Sequence, residues 1–81
     1  MKIEVLLFAS LRDRAGSLSV AVDLSSPQTV AALRETIASD HPALAPGLAA
    51  SRIAVDSEFR DDDYTIPAGA EVAVIPPVSG G

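Results

Sequence analysis

At 81 residues, 48% of them hydrophobic and 21% charged, the chain is a single globular domain with too little volume for two cores or a deep enclosed pocket. The absence of cysteine excludes a disulfide framework, a thiolate zinc site, a cysteine nucleophile and a cysteine persulfide carrier. A formal net charge of −5 argues against nucleic acid and anionic membrane as partners, because phosphate binding needs clustered Lys and Arg. An acidic chain suits steering onto basic protein surfaces. No apolar run approaches the roughly 18 residues that span a bilayer. Lys2 and Glu4 sit in an alternating opening segment, so no signal peptide is expected there and the expected location is the cytoplasm. With one Tyr and two Phe, the core must be aliphatic.

Lys2–Phe8 reads as a first strand, with Ile3, Val5 and Leu7 on one face and Leu6 and Phe8 making the other partly apolar. A strand apolar on both faces belongs inside a sheet. Residues 9–17, with Arg12, Asp13, Arg14 and Gly16, read as a connecting loop. Leu18–Leu24 alternates again, so the two strands form an antiparallel hairpin. After the turn residues Ser25-Ser26-Pro27-Gln28, Thr29 is the expected N-cap of an amphipathic helix from Val30 to Asp40, carried by Val30, Leu33 and Ile37 and stopped before Pro42. Residues 43–50, broken by Pro46-Gly47, are expected to tuck Leu44 and Leu48 onto the core. Arg52–Val55 is a third strand, Asp56-Ser57 a tight turn, and Glu58–Arg60 a short fourth strand. Asp61-Asp62-Asp63 is a surface loop, Pro67-Ala68-Gly69 a turn, and Glu71–Ile75 a last, internal strand. Pro76-Pro77 must end its ladder, since neither residue can donate a backbone hydrogen bond.

The order β-β-α-β-β-β predicts an α+β domain with one main helix across a mixed sheet. Two internal strands at opposite ends of the chain are expected to be parallel neighbours. That layout resembles the ubiquitin-like β-grasp fold, with residues 1–81 as one domain and 76–81 as a flexible tail. The segment Pro76-Pro77-Val78-Ser79-Gly80-Gly81 holds the most chemistry. Two prolines favour a stiff, extended exit, and six residues reach at most about 20 Å. Gly80 and Gly81 lack Cβ atoms, so the end of the backbone could thread a narrow channel in a partner. Two terminal glycines also fit a frayed end or an appended remnant; the preceding Pro-Pro-Val-Ser weighs toward function.

Several segments together resemble the small, sulfur-carrying subunits of molybdopterin synthase, the MoaD family. They are Val5-Leu6-Leu7-Phe8-Ala9 with Leu11-Arg12-Asp13 and Gly16, Thr29-Val30-Ala31-Ala32-Leu33-Arg34, Ile53-Ala54-Val55, and above all Gly69 through Gly81. Two departures stand out. Asp56-Ser57 occupies the hairpin where the family often has Asn-Gly, so a different turn type or some strain is expected. Ser79 stands where Thr is also common. The resemblance implies a cycle on the α-carboxylate of Gly81, an unreactive anion with a pKa of about 3.3–3.7. A ubiquitin-activating-like adenylyltransferase, using ATP and Mg, would form an acyl-adenylate. A sulfur donor would leave a thiocarboxylate, and the synthase large subunit would pass that sulfur to a cyclic pyranopterin monophosphate. The family also suggests a heterotetramer with the large subunit, and no cofactor bound by this chain itself.

The other candidates are weaker. Asp61-Asp62-Asp63 reads as a solvated loop and His41 as a helix-end residue, so no metal site is expected. Arg12 and Arg14 are either solvated or partner-facing. Phe8, Phe59 and Ile75 are either core residues or an apolar patch for a partner. Three rival functions stay open: a sulfur carrier for thiamin thiazole synthesis, a ubiquitin-like protein modifier, and a pure interaction module. Lys2 is the only lysine, which leaves almost no attachment site for self-chains.

Overall fold

A computed structural model describes residues 2–24 and 28–77. The expected turn at Ser25-Ser26-Pro27 and the end of the chain from Val78 lie outside them. Strand β1 (Lys2–Leu7) buries Ile3, Val5 and Leu7, as its alternation requires. It pairs antiparallel with β2 (Ser19–Asp23) through the register Ile3↔Val22 and Val5↔Val20. The strand expected from Leu18 starts one residue later, and Leu18 is 68% exposed. Of the alternating residues Leu18, Val20, Val22 and Leu24, only Val22 and Leu24 are buried.

The segment read as a loop is instead helix α1 (Ala9–Ala15). Its charged residues face water while Leu11 is buried, an arrangement that a single helical turn achieves and that has too few apolar positions to show as a period. Gly16, at φ 68°, ends it in the left-handed conformation and donates its N–H to the Arg12 carbonyl at 3.0 Å. Ala9 enters it at φ 52°, a left-handed conformation that costs a non-glycine residue about 1–2 kcal/mol.

Helix α2 (Val30–Asp40) has the expected bounds and buries Val30, Leu33 and Ile37. The N–H groups of its first three residues, which the helix cannot satisfy internally, each have a partner, and the regular i→i−4 ladder begins at Leu33. Val30 and Ala31 donate to the carbonyls of Tyr64 and Asp62, Ala32 to Thr29 Oγ1 at 3.2 Å, and Leu33 to the Thr29 carbonyl. The acidic loop is exposed, as expected, yet its backbone caps this helix. Arg34 adds two ties: Nε to Asp62 Oδ1 at 2.9 Å and Nη1 to the Leu48 carbonyl at 2.7 Å.

Beyond α2, a 3₁₀ turn (Pro42–Leu44) and helix α3 (Ala45–Leu48) hold Leu44 and Leu48 in the core. The anchoring matches expectation; the helical form of the segment does not, because Pro46 sits in the first turn of α3, where it is tolerated. Strands β3 (Arg52–Val55), β4 (Glu58–Arg60) and β5 (Val72–Ile75) complete the sheet in the order β2-β1-β5-β3-β4. Strand β5 runs parallel to β1 and antiparallel to β3, so the first and last strands are internal neighbours.

One face of this sheet packs against α2 through an aliphatic core that includes Val5, Val72, Val74, Ile53 and Val55. Burying each such side chain contributes about 1.5–3 kcal/mol. Helix α2 covers only that face. The other carries the features of interest.

Candidate functional site

The open face follows from the strand registers. Leu6 of β1 stands opposite Ala73 of β5, Ala73 opposite Ala54 of β3, and Ala54 opposite Phe59 of β4. Two alanines in the middle of that row leave a depression, because their neighbours on either side are large. Phe8, Phe59, Leu6 and Ile75 wall a hollow of about 220 Å³ floored by Ala54 and Ala73. Ser57 and Glu71 close its far end. Phe8 is 44% exposed and Phe59 48%, and because they share one hollow they form a contiguous exposed apolar patch, the kind of surface that marks an interaction site.

Phe8, Phe59 and Ile75, which sequence alone leaves between core and surface, therefore meet around one surface hollow. Leu6, Ala54 and Ala73 complete the hollow, although their spacing in the sequence does not mark them as a site. The signal for Leu6 and Ala73 was their off-face position in strands apolar on both sides. Ala54 gave none.

Local chemistry holds the rim in place. Asp56 and Ser57 have φ 51° and 71°, the two left-handed residues of a type I′ hairpin turn made without glycine. The turn is clamped onto β5 from both sides of Asp56: its N–H donates to the Glu71 carbonyl at 2.8 Å, and its Oδ1 accepts from the Glu71 N–H at 2.9 Å. The Arg52 guanidinium stacks on the Phe59 ring, 3.8 Å from its centroid.

The tail begins beside this hollow. Ile75, the last residue of β5, is in register with Arg52 at the start of β3. Pro76 is buried and Pro77 exposed, so the chain stays anchored one residue past the strand. Val78, Ser79, Gly80 and Gly81, the centre of the sequence-based expectation, lie outside the described residues.

The remaining candidates fall elsewhere. His41 caps the C-terminal end of α2 and places Nε2 3.4 Å from the Ala21 carbonyl on β2. Arg12 and Arg14 lie on the exposed side of α1. Among the described residues, no group of three or more His, Asp or Glu is placed to hold a metal ion, and no helix is long and apolar enough to cross a membrane.

Comparison with known proteins adds the family. The model of the ThiS family matches residues 5–81. The molybdopterin synthase sulfur carrier subunit of Escherichia coli is 40% identical, over 98% of this chain and 99% of its own. The subunit of the same name from Dictyostelium discoideum is 34% identical, over 99% of this chain and 96% of its own. Among solved structures, SAMP1 from Haloferax volcanii, a small archaeal modifier protein, superposes with a TM-score of 0.87 at 31% identity, with full coverage of both chains. This likeness identifies the sheet and its helix as the ubiquitin-like β-grasp arrangement.

Proposed function

The chain belongs to the ThiS family, and from that premise we propose that it is the sulfur carrier of molybdenum cofactor synthesis, working through the main-chain carboxylate of Gly81. The carboxylate attacks the α-phosphate of ATP on a separate adenylyltransferase, pyrophosphate leaves, and an acyl-adenylate results. A donor that delivers sulfur at the sulfide level, as hydrosulfide or its equivalent, then attacks the activated carbonyl carbon. AMP departs and a thiocarboxylate remains on Gly81. In the large subunit of the synthase, that sulfur bonds to a cyclic pyranopterin monophosphate, water cleaves the Gly81 acyl–sulfur bond, and the carboxylate is regenerated. ATP and Mg belong to the activating enzyme; this chain supplies a carbonyl and the surface that delivers it. The cycle runs in the cytoplasm, with carrier and large subunit assembled as a heterotetramer.

The observation that carries this reading is the family match, which runs through the Pro76–Gly81 segment to Gly81 itself. The full-length similarity to sulfur carrier subunits supports the choice of pathway over thiamin thiazole synthesis. The apolar hollow supports docking: Phe8, Phe59 and Ile75 border the strand from which the tail departs. A partner that covers them holds the tail's root while glycines without side chains enter its active site. A second reading, a protein modifier, draws on the likeness to SAMP1. Both readings require a free Gly81 carboxylate.

One added alanine after Gly81 tests the mechanism. The extended protein is expected to melt like the original and to support no molybdopterin synthesis with the large subunit. Full activity in the extended protein contradicts a terminal-carboxylate mechanism.

A further inference from the structure

Half of the chain's six basic residues gather near the tail's root. The chain carries a net −5, yet Arg34, Arg52 and Arg60 gather with Asp61 and Asp62 around a surface hollow of about 340 Å³ beside Phe59. Two of these arginines are already engaged. Arg34 is paired with Asp62 at 2.9 Å, and Arg60 with Glu58 at 2.7 Å while it also stacks over Tyr64. Arg52 differs: among the described residues no carboxylate lies within ion-pair distance of its guanidinium, which stacks on the Phe59 ring.

Position makes this matter. Arg52 is in register with Ile75, next to buried Pro76, so a protein that receives the tail comes down on Arg52. Phe59 is both a wall of the apolar hollow and the surface on which the guanidinium lies. Covering the ring therefore strips water from the cation. A guanidinium desolvated without acceptors is strongly unfavourable, and its planar fork is best satisfied by two oxygens of one carboxylate.

The geometry points to a synthase large subunit that presents an acidic side chain to Arg52, within an otherwise apolar contact over Phe8, Phe59 and Ile75. The inference rests on the carrier reading above. The same face bears Glu71 at the opposite end of the hollow. Arg52 thus marks the tail end of the face, and its pairing sets the direction in which the carrier docks as well as adding affinity. Overall charge alone would predict a uniformly basic partner surface; the guanidinium of Arg52, which has no carboxylate partner among the described residues, calls for an acidic group at the point where the tail leaves.

The test measures binding of the unloaded carrier to the recombinant large subunit of the same organism across a salt series. Arg52→Gln is expected to weaken binding on the order of thirtyfold, as when one member of a desolvated charge pair is removed. Arg52→Glu should bind more weakly still, and Arg52→Lys should recover part of the loss. The salt dependence of the Gln variant should be shallower than that of the original. Cooperative melting of each variant separates lost docking from lost folding, and the Lys variant keeps the test open if the others melt early. Original and variant proteins binding equally tightly with the same salt slope overturns the inference and leaves the carrier reading standing. An original protein that binds no large subunit at all removes the carrier reading and the inference together.

Discussion

Asp56 and Ser57 hold the hairpin beside the hollow in a conformation that suits glycine better, with Ser57 at φ 71°. Ser57→Gly is expected to stabilise the domain by about 1 kcal/mol, by relief of left-handed strain that exceeds glycine's added freedom when unfolded. A raised thermal midpoint checks it. Buried aliphatic residues set the opposite limit. Leu33 is fully buried at the centre of α2, and Leu33→Ala should cost about 2–5 kcal/mol in urea denaturation. At this scale, the sequence shows side-chain type and alternation. The core residues Ile3, Val5, Leu7, Val72 and Val74 were legible because each repeats at every second position. Leu18 misleads for the same reason: it continues the alternation of β2 yet lies outside the strand, exposed. Arg52 was legible only as a charge at the start of a strand. Its importance comes from cross-strand register with Ile75, a contact between distant parts of the chain that local spacing does not encode.

Elements were read best where termination signals and periodicity agree. Helix α2 has Thr29 before it, Pro42 after it and three apolar residues at helical spacing, and its bounds are those expected. Thr29→Ala removes the hydroxyl that accepts from the Ala32 N–H. The loss should be about 1 kcal/mol in equilibrium unfolding, because the loop carbonyls of Asp62 and Tyr64 still satisfy the first two N–H groups. No measurable loss would mean that the hydroxyl bond is redundant with those contacts. Helix α1 is not legible in the sequence, because its seven residues bury only Leu11, too little for any period. Its stability comes from packing under the following segments, which a local reading does not see. Helix α3 was hidden by Pro46-Gly47, which read as breakers although a proline in the first turn is compatible with helix.

For the whole molecule, topology was legible from one clue: strands apolar on both faces at opposite ends of the chain. The parallel pairing of β1 and β5 follows from it, and that pairing sends the chain out of the sheet beside Phe8 and Arg52. The hollow itself was not legible, because it forms where Ala54 and Ala73 fall side by side in neighbouring strands. Its predicted use is testable with Phe59→Asp. Phe59 is on the short edge strand and half-exposed, so the change should leave folding cooperative and weaken binding to the large subunit at least tenfold, the loss of a central aromatic anchor. Unchanged binding would move the docking surface elsewhere. The central claim is that a partner loads sulfur onto the main-chain end of this domain, and intact-mass spectrometry reads it most directly. After incubation with the adenylyltransferase, ATP and a sulfur donor, the protein should gain the mass difference of one sulfur-for-oxygen exchange, and a fragment ending in Gly81 should carry it. A protein whose mass stays unchanged while the same enzyme loads another carrier, or an exchange mapped to any other residue, would contradict the account.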